Sequence, residues 1–419
     1  MNDFPLFLIT HIKLDEPLLV AKPGAIDRGN YHVFWWKDIA LGQLFIEPGE
    51  NLTDTLYQQQ VINTISPAME FYSKEKDDSG NQWKTWLSEN NIQNWTHYMD
   101  NLFSRWLPLQ VPPKIPVTII ICTRDRADYL QHCLKMLATL SCLPEEIIVV
   151  DNNPKDNSSE QVVAKFKDVK YIKESRGGLS IARNTGLLHA TYPIIAFTDD
   201  DAIVHPLWLY RVWETFNDPS VAGMTGLVLS LKLDTEAQLI FEKNWSFNRG
   251  FVDKTFNTYY FNDTIKNGTP VWDIGAGVNM AFRRSVFETI GNFDERLGAG
   301  ASGCSEDSEL WYRMLLKGLT IQYNPRAIMH HEHRKDMEGL KKQIFAYMRG
   351  HTAAALLQHD QYPQSGYKRR IFKHFPKSYF HSVIKGFPMY RFHFSTIWVE
   401  MKGILSGLVF YNKVKDRIS

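Results

Sequence analysis

Between residues 117 and 199, apolar runs and amphipathic stretches alternate along the chain. VTIIIC (117–122) is continuous and rich in β-branched residues, the composition of a strand buried on both faces. Leu130, Leu134 and Leu137 then recur at helical spacing. EIIVV (146–150), VKYI (169–172) and PIIAF (193–197) read as further strands, and GLSIARNTGLLHA (178–190) as a helix. Strand and helix joined by short connections predict a parallel sheet built from right-handed βαβ units. In such sheets ligands bind beyond the carboxyl ends of the strands. Three of those ends carry polar and charged groups: Thr123-Arg124-Asp125-Arg126, Asp151-Asn152-Asn153 and Asp199-Asp200-Asp201.

The flanks read differently. Residues 1–110 are rich in aromatics, with strand-like YHVFWW (31–36) and LGQLFIEPG (41–49) and a Trp-rich helical stretch from Gln82 to Trp106. KEKDDSGNQ (74–82) reads as a surface loop, and LPLQVPPKIP (107–116) as an extended linker. The chain therefore divides into an N-terminal accessory domain (1–110), a central α/β domain (111–335) and a helical C-terminal extension (336–419). From residue 367 onward Lys, Arg and His mingle with aromatics. This tail reads as helices packed on the central domain, interrupted at Pro376 and Pro388. The alternative is contact with a membrane surface through a basic, aromatic face.

Composition narrows the class. Hydrophobic residues make up 44 % and charged residues 22 % of 419, the balance of a soluble globular protein. A net charge of +1 gives no overall field for nucleic acid. Cys122, Cys133, Cys142 and Cys304 form no CxxC pair and sit mostly in apolar segments, as buried thiols of a reducing compartment do. The N-terminus lacks the basic region of a secretory signal, and no stretch reaches the roughly 18 apolar residues of a membrane span. The expected location is cytoplasmic, with membrane association left open. Against that background the Asp triplet has two readings, a solvated turn or a site for a hard cation. Convergence of three polar strand ends favours a ligand site.

Taken in order, VTIIICTRDRADYL, EIIVVDNNP, RGGLSIARNTGL, AFTDDD, GAGVNMAFRR and SEDSELWYRM resemble family 2 glycosyltransferases of the GT-A fold, over residues 116–335. The resemblance implies a nucleoside-diphosphate-sugar donor, a hydroxyl acceptor and inversion by one displacement. Asp199 would hold the metal or the donor's ribose region, and Asp201 would ligate the metal. The two would face one side of an extended segment, with Asp200 turned away to support the loop or the nucleotide. Asp151 would meet the base, with Thr123, Arg124 and Asp125 in the same pocket. Gly178, Arg183 and Asn184 join the donor site, Arg183 also being placed to pair with a strand-end Asp. Gly275 and Gly277 suit either a close backbone approach to a sugar or a bulge.

In the second acidic motif, Glu306 and Asp307 open a helix, where capping alone would favour carboxylates. The resemblance makes Asp307 the base that deprotonates the acceptor, with Glu306 as the next candidate. Cys304-Ser305 stands where the family often has glycines. Among His330, His331 and His333, His331 matches the metal-ligand position and His333 is the reserve. A carboxylate and imidazole set suits Mn2+, or Mg2+. The expected partners are a UDP-, dTDP- or GDP-sugar and a glycan or other hydroxyl acceptor. A nucleotidyltransferase, or a silent sugar-nucleotide- or glycan-binding subunit, is the rival reading.

Overall fold

VTIIIC lies in the middle of a nine-stranded sheet in the computed structural model of the protein, which describes residues 6–16, 28–50, 52–74, 80–386 and 393–416. Before it come β1 (Phe7–Lys13), β2 (Gly29–Trp36), β3 (Ile39–Ile46) and helices α1 (Asp54–Ser73), α2 (Gln82–Ser88) and α3 (Ile92–Phe103). The central region runs β4 (Lys114–Thr123), α4 (Ala127–Leu137), β5 (Leu143–Asn152), α5 (Ser158–Val163), β6 (Val169–Glu174), α6 (Leu179–His189) and β7 (Ile194–Asp199). It continues through β8 (Ala202–Val204), α7 (Trp208–Thr215), β9 (Val221–Ser230), α8 (Glu236–Trp245), β10 (Lys254–Phe256) and α9 (Thr258–Thr264). Then follow β11 (Met280–Arg283), α10 (Ser285–Ile290), α11 (Glu306–Leu316) and β12 (Thr320–His331). Helices α12 (Met337–Gln361), α13 (Tyr367–Arg369), α14 (Phe375–Gly386) and α15 (His393–Val414) close the chain.

The large sheet is ordered β10-β12-β9-β11-β7-β4-β5-β6, with β8 on β12. Strands β4 to β7 pair in parallel as expected, and β9 pairs in parallel with β12. Strand β11 enters antiparallel between β7 and β9, so the sheet is mainly rather than wholly parallel. Two cores explain the continuous apolar runs. Ile120, Ile148 and Val150 face one, while Ile119, Ile121 and Val149 face the other, all fully buried. Each such side chain contributes about 1.5–3 kcal/mol on leaving water. The β12–β9 register shifts between Asn324 and Ile328, where Pro325 has no N–H to give to a ladder.

The N-terminal sheet has the order β1-β2-β3 and a core of its own, in which Trp36 meets Trp95 edge-on at 6.2 Å. The Trp95 indole donates to the Leu14 carbonyl at 2.7 Å. This layer docks on the central sheet through Arg326, which pairs with Asp253, donates to Tyr72 and stacks on Trp106 at 4.2 Å. The expected single helical stretch from Gln82 is two helices, parted at Glu89–Asn91, and the linker ends early because β4 begins at Lys114. Part of the KEKDDSGNQ loop lies outside the described residues.

The C-terminal region is helical, and α15 packs along α12. Gly403 and Gly407 allow that approach, since a Cβ there would meet Met348 at 2.7 Å and the Arg349 carbonyl at 2.6 Å. Pro376 does not interrupt a helix. The helical run continues from α13 through a π-helical segment, Arg370–His374, into α14, and this wider turn, in which the Phe375 N–H bonds to the Arg370 carbonyl, falls just before the proline. Pro388 lies outside the described residues. Among the described residues no helix is long and apolar enough to cross a membrane.

Candidate active site

The carboxyl ends of β4 and β7, the N-terminus of α11 and one face of α12 enclose a cleft of about 1280 Å³. Strand ends collect there because the parallel ladder brings Thr123 beside Asp151 and Cys122 beside Asp199. The triplet does not continue as an extended segment. Asp199 ends β7, and Asp200 and Asp201 form a turn. Alternation therefore fails, and Arg126 takes both later carboxylates, each at 2.7 Å, through its two terminal nitrogens. Asp200 is buried and also accepts the Thr123 hydroxyl at 2.7 Å. Burial raises its carboxyl, while Arg126 pulls it back. Asp199 keeps 36 % of its side chain accessible and has Arg183 at 3.8 Å, with Arg126 acting on it from farther away; burial nonetheless raises its carboxyl.

Arg183, buried on α6, is the second organising cation. It holds Glu306 at 2.6 Å, so the Glu306 carboxylate is occupied and burial raises it against the pull of Arg183. Both members of the acidic pair line the cleft, Glu306 buried in its pairing with Arg183 and Asp307 half-buried, with its Oδ1 accepting from the Ser308 N–H at 2.6 Å. A Cβ on Gly277 would lie 2.9 Å from Asp307 Oδ2 and 3.2 Å from Arg183 Nη2. Glycine at 277 thus lets the loop before β11 touch both groups. The loop into α11 lies across the start of α6: Leu179 donates to the Ala299 carbonyl at 2.9 Å, and Ser180 to that of Leu297 at 2.8 Å. Ser305 adopts the left-handed conformation with φ 73° and makes no side-chain cap.

Several expected donor residues lie off the cleft wall. Asp125 accepts from the Lys155 backbone N–H at 3.0 Å, and Lys155 Nζ lies 3.2 Å away. Asn184 exchanges two hydrogen bonds with the Phe293 backbone at 2.9 Å, clamping a loop. Gly178 takes a φ of 146° and donates to Asn152 at 2.8 Å, which sets up the neighbouring wall residues Leu179, Ala182 and Arg183. Asp151 is buried behind the wall: one oxygen accepts the Tyr171 hydroxyl at 2.9 Å and the other has no hydrogen-bond partner. Thr123, Arg124, Gly275 and Gly277 line the cleft.

The three histidines separate. His330 faces the N-terminal layer, its ring 5.8 Å from that of His11, and burial lowers it to about 4. His333 meets Ser230 at 2.7 Å and Glu242 at 3.0 Å through Nε2, its buried Nδ1 has no hydrogen-bond partner, and it lies off the cleft wall. His331 lines the cleft, with Nε2 3.7 Å from Asp201 Oδ1 and a buried Nδ1 that has no partner. Among the described residues no three His, Cys, Asp or Glu side chains close on one point, because Arg126 draws Asp200 and Asp201 to itself. The donor set still fits a divalent ion. The 3.7 Å gap is too long for a hydrogen bond, yet two ligands each about 2.1 Å from one ion stand about 3–4 Å apart.

Sequence reasoning missed Arg126, which local charge balance in TRDRAD could have flagged. It also missed the far wall, where Lys342, Tyr347, His351, Arg370, Phe375 and Tyr379 belong to the C-terminal helices. No described residue of 1–110 lines the cleft.

Residues 118–291 match the family model described as glycosyl transferase family 2. A pre-mycofactocin glycosyltransferase of Mycobacterium tuberculosis is 26 % identical over 232 residues, 54 % of this chain and 45 % of that protein. The succinoglycan biosynthesis protein ExoM of Rhizobium meliloti is 27 % identical over 245 residues, 55 % of this chain and 72 % of that one. The match thus spans less than half the length of the mycobacterial relative. A solved mannosyltransferase from Pyrobaculum calidifontis, in complex with GDP-Man and Mn2+, aligns with a TM-score of 0.45 at 16 % identity, over 77 % of this chain and 97 % of that chain.

Proposed function

We propose, from the membership of this chain in glycosyl transferase family 2 through residues 118–291, that it transfers a sugar from a nucleoside diphosphate to an acceptor hydroxyl with inversion. The observation that carries this reading is the placing of Asp307 on the cleft wall against Gly277 while Arg183 occupies Glu306. One acidic residue of the pair is free to take a proton, and the other is held.

The donor's nucleoside would lie at the ends of β4 and β5, against Thr123 and Asn152, which line the cleft in front of the buried Asp151. The diphosphate would face Asp199 and Asp201, with the exposed guanidiniums of Arg124 and Arg334 beside it. Asp199, Asp201 and His331 would hold a divalent cation, manganese before magnesium because an imidazole is in the set. When bound, that ion supplies positive charge to the diphosphate leaving group. Burial lowers the His331 imidazole, which leaves it neutral and its lone pair free at pH 7.

Asp307 receives the acceptor hydroxyl proton as the oxygen bonds to the anomeric carbon. The bond from that carbon to the phosphate oxygen breaks in the same displacement, its electron pair leaving on the nucleoside diphosphate. Attack opposite the leaving group inverts the centre. A general base of this kind contributes roughly 10²- to 10⁴-fold. Asp307→Asn keeps the side-chain acceptor for Ser308 and removes the basic oxygen. It is expected to cut transfer by at least about two orders of magnitude and leave donor affinity near that of the parent. Transfer at the parent rate, with product stereochemistry read by NMR, refutes this assignment.

A further inference from the structure

Residues 366–419 hold eleven Lys and Arg against two carboxylates, in a chain whose net charge is +1, so the positive charge is concentrated at this end. Of the two acids, Glu400 is buried and accepts the Tyr379 hydroxyl at 2.7 Å, which ties α14 to α15. Lys368, Arg369, Lys373, Lys377, Lys402 and Lys413 are exposed.

Helix α15 has two apolar faces. One is buried, with Ile397, Gly403, Gly407 and Val414, and its two glycines lie against α12. The other presents Trp398, Met401, Leu405 and Val409, spaced by three, four and four residues and so in one stripe. Their exposures are 60 %, 39 %, 62 % and 57 %. On α14, Phe380 and Ile384, one turn apart, are also exposed. Scattered surface hydrophobics need no explanation, but a contiguous apolar stripe with Trp at one end and two lysines along one edge does. An α-helix with an apolar face and a basic rim lies in the plane of a lipid interface.

We propose that α14 and α15 form a docking face for an anionic membrane surface. The apolar stripe enters the headgroup boundary, and Lys402 and Lys413, within about a quarter turn of it, meet the phosphates. Beside the stripe, Lys341, Lys342 and Lys402 line a groove with Phe345, Val399 and Glu338, the last paired with Lys342 at 2.6 Å, so the groove keeps a net positive charge. The face adjoins the cleft, because Lys342 borders both and Phe375 and Tyr379 of α14 line the cleft wall. Docking would bring the cleft mouth to the lipid surface. This assignment concerns binding to lipid and does not depend on the transfer reaction.

The test is flotation of the full chain with phosphatidylcholine vesicles, with and without phosphatidylglycerol, over a salt series. The parent is expected to float with the anionic vesicles, less so as salt rises. Each lysine near the surface is worth about fivefold in partition, so K402Q/K413Q is expected to lose roughly 20-fold. W398S/L405S changes two exposed positions and is expected to lose at least about tenfold at unchanged melting temperature. The lysine pair is the independent readout where the serine pair melts lower. A parent that stays out of the anionic vesicles overturns the proposal, as does a pair of variants that float like it. A stripe variant that only converts a dimer to a monomer, flotation unchanged, makes the face a seam between copies and also overturns it.

Discussion

Gly277→Ala separates chemistry from packing at this site. The new methyl would start 2.9 Å from Asp307 Oδ2 and 3.4 Å from Asp307 Cβ. Carbon contacts are comfortable at about 3.5 Å, so the carboxylate must retreat by roughly half an ångström. It is the free end of a side chain, and moving it off its rotamer costs about 0.5–1.5 kcal/mol. Stability should therefore fall by about 1 kcal/mol. The rate should fall much further. A misplacement of about 1 Å costs on the order of 10²-fold, which puts half of that near tenfold and sets an expected range of about 10- to 100-fold.

Gly275→Ala is the control two residues away. Its methyl would strike the Thr225 side chain, with Cβ at 2.5 Å, on the buried strand β9, and no acidic group of the cleft. Overpacking of that kind costs about 1–3 kcal/mol, and the rate per folded molecule should stay near the parent's. The assay is single-turnover release of nucleoside diphosphate at saturating donor, with donor affinity by calorimetry and melting temperature for both variants. Parent-like turnover in Gly277→Ala would show that the Asp307 carboxylate does no chemistry at this position. A collapse of its melting temperature with normal turnover would make Gly277 a packing residue only.

Two further outcomes follow from buried charge. Arg126→Gln leaves Asp200 and Asp201 without their shared cation; because Arg126 is about a third exposed, the loss should be about 1–3 kcal/mol by urea titration, together with weaker donor binding. Unchanged stability and donor affinity would remove Arg126 from the site. His32, buried against the Tyr57 hydroxyl at 3.0 Å, is pushed down by burial to about 4. Its ordinary value is about 6.5, so the unfolded chain takes up a proton first, and stability is full above pH 6.5 and lost as pH falls toward 4. Between pH 7 and 5 the parent should lose about 2 kcal/mol more than His32→Gln, and equal losses would rule His32 out as the titrating group.

The α/β centre was legible because its physics is local. A strand buried on both faces must be apolar throughout, and β4, β5 and β7 are. Other elements hid their pattern. Helix α1 contains Pro67 and was not read as a helix at all, although Thr53 caps it and the Ser66 hydroxyl bonds back to the Ile62 carbonyl at 2.7 Å. Strand β1 pairs in parallel with β2 across a gap that no sequence period reports. At the site, residue identity in the acidic motifs was readable, but side-chain direction was not. Asp200 was expected to turn away from Asp201, yet the turn lets Arg126 collect both. Asn184 and Asp125 carry suitable chemistry and spend it on the Phe293 and Lys155 backbones. Choices of that kind depend on partners distant in sequence, as does the wall contributed by α12 and α14.

The charge inventory of the cleft shows why so many carboxylates are tolerable there. Asp199, Asp200, Asp201, Asp273, Glu306 and Asp307 line it with Arg124, Arg126, Arg183, Lys243, Arg249, Arg334, Lys342 and Arg370, and of these cations Arg126 and Arg183 pair directly with the acidic motifs. Burial lowers His331, so the imidazole adds no charge at neutral pH. The two cations are not spread evenly. Arg126 is committed to Asp200 and Asp201, and Arg183 sits 2.6 Å from Glu306 but 3.8 Å from Asp199. Among these carboxylates Asp199 therefore has the longest ion-pair contact, and Asp307 meets Arg183 and Arg249 only through space. Repulsion between uncompensated carboxylates costs free energy in the empty protein, and a cation entering beside Asp199 relieves it. Asp307 is then the carboxylate of the five in the acidic motifs that is not held in a direct ion pair among the described residues, which leaves its Oδ2 accessible to a bound hydroxyl. On this reasoning the pairing of Arg183 with Glu306, rather than any property of Asp307 alone, is what favours Asp307 as the proposed base.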